Sequence, residues 1–229
     1  MIVEVVDDAA ATLASALETH LAHLQGGGRS PRVALTGGTI ANDAYRLLGA
    51  DPGVDWSRVD LWWGDERFVP EGHADRNDQQ ARDAFLDRLG VPASRVHPMP
   101  AHGCSQSLAE AADGYATGLP AEFDLVLLGV GPDGHVASLF PGFAQLDETQ
   151  RLAVEVFGSP KPPPERISLT FPALNAADQV WFVASGEGKA EAVSRALAPE
   201  GSVHQTPARG VRGRVETRWI LDPAAASHL

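Results

Sequence analysis

The sequence is poor in cysteine: its 229 residues include only Cys104. A lone cysteine excludes an internal disulfide, and we expect Cys104 to be a small packing residue rather than a nucleophile. No apolar run approaches the roughly 20 residues that a membrane-spanning helix needs. The N-terminus lacks a basic start followed by an apolar stretch, so we expect no secretory signal and a cytoplasmic location.

Positive charge is also scarce. The formal net charge is −12, which disfavours nucleic acid and anionic membranes as partners. Local fields still allow a small anionic substrate, so we expect a small-molecule partner and a monomer or small homo-oligomer. Lysine occurs only twice, at Lys161 and Lys189, against 16 arginines. Such rarity draws attention to where each lysine lies.

Several signatures of other enzyme classes are missing. The chain has no Gly-x-Ser-x-Gly elbow of a serine hydrolase and no full Walker-type phosphate loop. No cluster of Cys and His has the spacing of a structural metal site, so we expect no metal. His20 and His23 lie three residues apart on a predicted helix, and we interpret them as surface residues.

Strand and helix patterns alternate along the chain, without a repeat or an evident linker. This alternation predicts one α/β domain over residues 1–229, with a mostly parallel, doubly wound (Rossmann-like) sheet covered by helices on both faces. The predicted strands are 2–6, 32–36, 59–63, 123–129, 152–157, 167–170, 179–184 and 218–221. The predicted helices are 8–24, 40–48, 78–89, 106–116 and 189–197. Ligands bind beyond the carboxyl ends of such strands, so the residues that follow each strand are the candidate site.

The segment 36–39 (TGGT) follows the second strand and precedes a helix. Gly37 and Gly38 let backbone N–H groups approach an anion, and the helix N-terminus adds donors. Thr39 can cap the helix and donate a hydroxyl to a phosphate oxygen. A plain strand-to-helix turn explains the same residues, because the motif is short.

Charged residues follow the third strand, at Asp65, Glu66 and Arg67. Arg67 can hold a phosphate or a carbonyl oxygen, and Asp65 can orient it or meet a substrate hydroxyl. An ion-paired loop at the edge of the sheet is the alternative interpretation.

The segment 129–142 (GVGPDGHVASLFPG) follows the clearest buried strand. Its glycines permit a tight turn, and Asp133 stands two residues before His135. A carboxylate there can fix the imidazole tautomer and leave the other ring nitrogen to take a proton from water. A hydrogen-bonded histidine in a glycine-rich turn is the alternative, but the strand-end position favours a catalytic base. Ser138 follows, and we expect it on the first turn of a helix, as a further candidate for binding the substrate phosphate.

Four prolines surround Lys161 in a stretch that ends with Arg166 at the start of a strand. A stiff loop lowers the entropic cost of presenting a cation in one place. Lys161 and Arg166 are therefore candidates for binding an anionic substrate. A rigid surface loop with a solvated lysine fits the same residues.

These four segments, in this order, resemble the 6-phosphogluconolactonase family, which shares its fold with the glucosamine-6-phosphate deaminases/isomerases. The resemblance covers nearly the whole chain, and segment 129–142 is its most specific part. One departure is Arg76, which stands where members commonly have serine before the residue matching Asn77.

The resemblance implies hydrolysis of 6-phospho-D-glucono-1,5-lactone, without metal or organic cofactor. It implies that His135 activates water with support from Asp133. It also implies that the sugar phosphate is held by the Gly37-Gly38-Thr39 loop, Arg67, Lys161 and Arg166.

Two other functions stay open on the same fold. A deaminase/isomerase carries a glutamate shortly after the Asp-Gly-His, whereas residues 137–140 of this chain contain no acid. It also lacks the arginine that matches Arg67. A non-catalytic sugar-phosphate sensor would tolerate loss of the Asp133–His135 pair, and both residues are present.

Overall fold

The computed structural model describes residues 1–49, 53–103 and 106–229. Cys104, for which we predicted a packing role, lies outside these residues. The strands are β1 (Ile2–Val5), β2 (Arg32–Leu35), β3 (Asp60–Trp63), β4 (Asp65–Arg67), β5 (Leu125–Gly129), β6 (Ala153–Val156), β7 (Arg166–Leu169), β8 (Gln179–Ala184) and β9 (Glu216–Leu221). The α-helices are α1 (Ala9–Gly26), α2 (Thr39–Leu47), α3 (Asn77–Ala81), α4 (Leu108–Thr117), α5 (Phe171–Asn175) and α6 (Ala190–Leu197).

Six strands form a parallel sheet in the order β1-β9-β8-β5-β2-β3. The α/β prediction is confirmed, and every strand of this sheet begins and ends within two residues of the predicted bounds. Helices cover both faces of the sheet, so β2, β3, β5 and β8 are buried on both sides, whereas the edge strand β1 is largely exposed. Alternate residues of β5 enter two separate clusters of the core: Leu125 and Leu127 pack with α1, whereas Val126 and Leu128 pack with α4.

A second sheet was not predicted. Strands β4, β7 and β6 pair antiparallel in the order β4-β7-β6. We had predicted β6 and β7 as members of a mostly parallel sheet, and no strand over residues 65–67. Strand β4 is three charged residues, Asp65–Arg67, so it has no apolar alternation from which a strand could be recognised. Its pairing with β7 sets Arg67 opposite Arg166.

The five predicted helices begin and end near their predicted bounds, with one change of geometry, whereas the short helix α5 was not predicted. The predicted helix 78–89 is α3 followed by a π-helical turn, Arg82–Leu86. Asp8 caps α1 through a 2.9 Å bond to the amide of Ala11. No helix within the described parts of the chain is long and apolar enough to cross a membrane. The assignment of residues 1–229 to one domain stays a prediction.

Candidate active site

A cleft of about 480 Å³ lies at the carboxyl ends of β2, β5 and β8, where the sequence placed it. Strands β4 and β7 of the small sheet also reach this cleft. Eight predicted site residues line it: Gly37, Gly38, Thr39, Asp65, Arg67, His135, Lys161 and Arg166. The other two, Asp133 and Ser138, do not line the cleft but contact residues that do.

Asp133 holds the His135 ring. The Asp133 carboxylate lies 2.5 Å from His135 Nδ1 and also accepts the His135 backbone N–H at 3.2 Å. A carboxylate is only an acceptor here, so Nδ1 carries the proton and Nε2 is left as the basic nitrogen. Burial alone would raise the pKa of Asp133, but its hydrogen bonds to the side chain and backbone of His135 and the charge of that ring together outweigh burial and lower the pKa to about 2. Asp133 therefore stays ionised at neutral pH.

Glycine is required close to this ring. A Cβ at Gly131 would lie 2.0 Å from the ring of His135, and Gly134 adopts a left-handed φ of 89°. The Gly131 amide donates to the His135 carbonyl at 2.9 Å, which closes the loop. Phe140 packs on the ring with 4.6 Å between centroids. The loop thus presents one orientation of the imidazole.

Ser138 does not start a helix, and that prediction was wrong. Residues Val136 and Leu139 pair across a tight turn, in which Ala137 has a φ of 49° that a helix does not allow. Ser138 is fully buried and donates its hydroxyl to Asp65 at 2.6 Å. Its amide donates to Ser168 Oγ at 3.1 Å. Ser138 therefore ties the turn after His135 to the small sheet.

Asn77 organises the β4 side of the cleft and was absent from the predicted site. Its amide nitrogen donates to the Asp65 carbonyl at 2.8 Å, and its amide oxygen accepts from Arg67 Nη1. A Cβ at Gly37 would lie 1.8 Å from this oxygen, so Asn77 also abuts the first loop. The resemblance pointed to position 77, but only the fold shows which groups it joins.

The first loop offers helix donors to the cleft. We expected Thr39 to cap α2, but Gly38 is the N-cap and Thr39 is the first helical residue. Gly38 has a φ of 105° and no side chain, so no cap bond satisfies the first amides of α2. Unsatisfied amides and the helix dipole favour an anion at this point.

Arg166 mainly anchors the proline-rich loop. It is buried, and its guanidinium donates to the carbonyls of Lys161, Pro162 and Pro163 at 3.1–3.3 Å. It also lies 3.8 Å from the Asp65 carboxylate. Burial lowers the pKa of the Arg166 guanidinium, an effect that Asp65 opposes. Lys161, whose carbonyl Arg166 holds, also lines the cleft.

Lys189 is a further cleft residue that was not among the predicted site residues. Its ammonium donates to the Val130 carbonyl at 2.7 Å, beside the loop that carries His135. Burial lowers the pKa of both Lys161 and Lys189; Asp133 acts in the opposite direction in each case. Both lysines of the chain line this cleft, so lysine scarcity was the signal that could have found Lys189.

The histidines of α1 lie away from the cleft. His23 is exposed as predicted, whereas His20 is only partly exposed and packs on Trp181 with 5.4 Å between ring centroids. Burial lowers the pKa of His20. Across the described residues, no group of three or more Cys, His, Asp or Glu side chains could hold a metal ion.

The cleft is thus surrounded by an imidazole that a carboxylate supports, by several cations and by the free amides of a helix N-terminus. The family model described as "Glucosamine-6-phosphate isomerases/6-phosphogluconolactonase" matches residues 4–219. A 6-phosphogluconolactonase of Streptomyces coelicolor is 48% identical, over 94% of this chain and 88% of the relative. The chain belongs to the glucosamine-6-phosphate isomerase/6-phosphogluconolactonase family.

Solved structures agree with this fold. The 6-phosphogluconolactonase of Thermotoga maritima has a TM-score of 0.85 and 26% identity, over 96% of this chain and 99% of that one. A monomeric glucosamine-6-phosphate deaminase has a TM-score of 0.83 over the whole of both chains, but at 18% identity it shows the fold alone.

Proposed function

We propose that the chain hydrolyses 6-phospho-D-glucono-1,5-lactone to 6-phosphogluconate, the second step of the oxidative pentose phosphate pathway, and that it does so in the cytoplasm. The relatives named 6-phosphogluconolactonase support the reaction. The observation that carries the proposal is the Asp133–His135 pair at the wall of a cleft rich in cations. A sugar-phosphate substrate is the partner that this charge arrangement fits.

His135 is the general base of the proposed reaction. Its Nε2 takes a proton from water while the water oxygen attacks C1 of the lactone, which gives a tetrahedral oxyanion. The C1–O5 bond then breaks as the imidazolium returns the proton to the departing ring oxygen. Asp133 keeps the ring in the required tautomer and stabilises its transient positive charge. A cation or backbone amide of the cleft stabilises the oxyanion.

The cations and amides of the cleft bind the sugar phosphate in this proposal. The Gly37-Gly38-Thr39 loop offers α2 amides, and Arg67 is held beside it through Asn77. Lys161 contacts the substrate directly, whereas Arg166 serves chiefly to hold the Lys161 loop and Asp65. Lys189 joins the predicted set because it lines the cleft next to the His135 loop.

Deamination of glucosamine 6-phosphate is the competing reaction on this fold. The turn after His135 contains Ala137 and the buried Ser138 but no acid to assist ring opening. Purified protein should therefore release acid from the lactone, measured by pH-stat, and no ammonia from glucosamine 6-phosphate. Ammonia release without lactone hydrolysis would reverse the assignment, and inactivity on both substrates would favour a sensor.

A further inference from the structure

Glu66 is a buried carboxylate for which the proposed reaction has no use. Side chains alternate along a strand, so Asp65 and Arg67 of β4 face the cleft and Glu66 points the other way. Its residue is only 1% exposed. A carboxylate so far from solvent is costly unless hydrogen bonds and a counter-charge compensate it.

Three backbone amides bond to this carboxylate. Oε1 accepts from Arg67 at 2.8 Å and from Asn77 at 2.7 Å, and Oε2 accepts from Asp78 at 3.0 Å. Asn77 and Asp78 open α3, whose own N-cap residue, Arg76, makes no side-chain cap bond. Glu66 thus supplies from β4 the cap that α3 lacks, and it joins the two elements that carry Arg67 and Asn77.

Arg76 is the buried counter-charge. It is 1% exposed, donates to Asp78 at 2.7 Å and to the Met99 carbonyl at 2.7 Å, and lies 3.9 Å from Glu66. Burial raises the pKa of Glu66 to about 7, although Arg76 and the three amides act in the opposite direction. The charge of Glu66 also acts on Arg166 of β7 and on Tyr115 of α4, in each case in the direction that raises the pKa.

We propose that Glu66 is a positioning residue for substrate binding, which fixes Arg67 and Asn77 in the cleft through their backbone amides. Arg67 and Asn77 are bonded side chain to side chain, and Asn77 leaves no room for a Cβ at Gly37. A displacement of the Arg67 and Asn77 amides is therefore transmitted both to the Arg67 guanidinium and to the loop that contains Gly37. The inference rests on the proposed function in taking this cleft as the substrate site.

The first test is Glu66→Gln, which keeps the size but turns one acceptor into a donor facing an amide. KM for the lactone should rise about tenfold at pH 8, while kcat changes less than about threefold, because His135 lies on another loop. Glu110→Gln is the matched control: Glu110 also accepts a backbone N–H at a helix start, 2.8 Å from Ser107, but outside the cleft. A folded Glu66→Gln variant whose KM rises less than about threefold overturns the proposal.

The second test does not need the Glu66→Gln variant, so it can be carried out even if that variant does not fold. Arg76→Gln removes the cation that favours the ionised carboxylate, so Glu66 should protonate at a higher pH. KM of the wild-type protein should rise as the pH falls through about 7, and in Arg76→Gln this rise should begin at least about half a pH unit higher. Titration of the substrate phosphate affects both proteins equally. Coincident profiles contradict the positioning role.

A third measurement separates the two proposals. If the wild-type protein fails to hydrolyse the lactone, the proposed function fails, but calorimetry with inorganic phosphate still reports on the cleft. Phosphate affinity should then fall at least about threefold in Glu66→Gln and stay unchanged in Glu110→Gln. Equal affinities in all three proteins overturn the role of Glu66.

Discussion

The two sheets contribute to the cleft in different ways. The large sheet reaches it through loops: residues 37–39 follow β2, and His135 follows β5. The small sheet places Asp65, Arg67 and Arg166 there directly from its strands. Glycine-rich loops orient a reactive group by local backbone geometry, whereas the position of a side chain on a strand depends on the register in which the strands pair. We therefore expect substitutions in the His135 loop of the large sheet to alter chemistry and those in the strands of the small sheet to alter binding.

The largest effect should follow His135→Ala. Loss of a general base lowers kcat by roughly 10²–10⁴, and KM should change little because the cations remain. Steady-state kinetics on the lactone measure both constants. His204→Ala is the control, since His204 is exposed and pairs with Asp147 at 3.2 Å, away from the cleft lining. An undiminished kcat in His135→Ala would place the base elsewhere.

Arg67→Ala should have the opposite signature. A hydrogen bond to a charged group contributes about 1.5–3 kcal/mol, so KM should rise roughly 10- to 100-fold with a smaller change in kcat. The same kinetics measure it, with Arg214→Ala as a charge-matched control, because Arg214 pairs with Asp178 on the surface. If kcat fell and KM did not, the division between the two regions would be wrong.

The smallest effect should come from Ser138→Ala, which removes the hydrogen bond between the turn after His135 and Asp65 of the small sheet. The variant leaves the Asp65 carboxylate without its 2.6 Å donor. Unfolding free energy should fall by about 1–3 kcal/mol in urea titration, and KM should rise a few-fold through Asp65. Ser227→Ala, at an exposed position near the C-terminus, should change neither quantity. Unchanged stability and KM would show that Ser138 does not couple the two sheets.

The same contrast explains what could be predicted from the sequence. Strand β5 is recognisable from its apolar run, and the Asp133–His135 pair is local in sequence, so both were found. Strand β4 was not recognised because three charges carry no periodicity, and the role of Asn77 depends on contacts ten or more residues away. Ser138 was misplaced because the backbone at Ala137 turns left-handed, a conformation that alanine does not signal.

The way in which Arg166 holds the proline-rich loop bears on how substrate selectivity could be altered. Its guanidinium bonds to the backbone carbonyls of this loop, and the carbonyl at position 161 is present whatever residue stands there. The loop can therefore keep its path while its side chain is exchanged. Position 161 is thus a natural site for mutagenesis libraries, where head-group charge and length can be varied without rebuilding the scaffold that presents them.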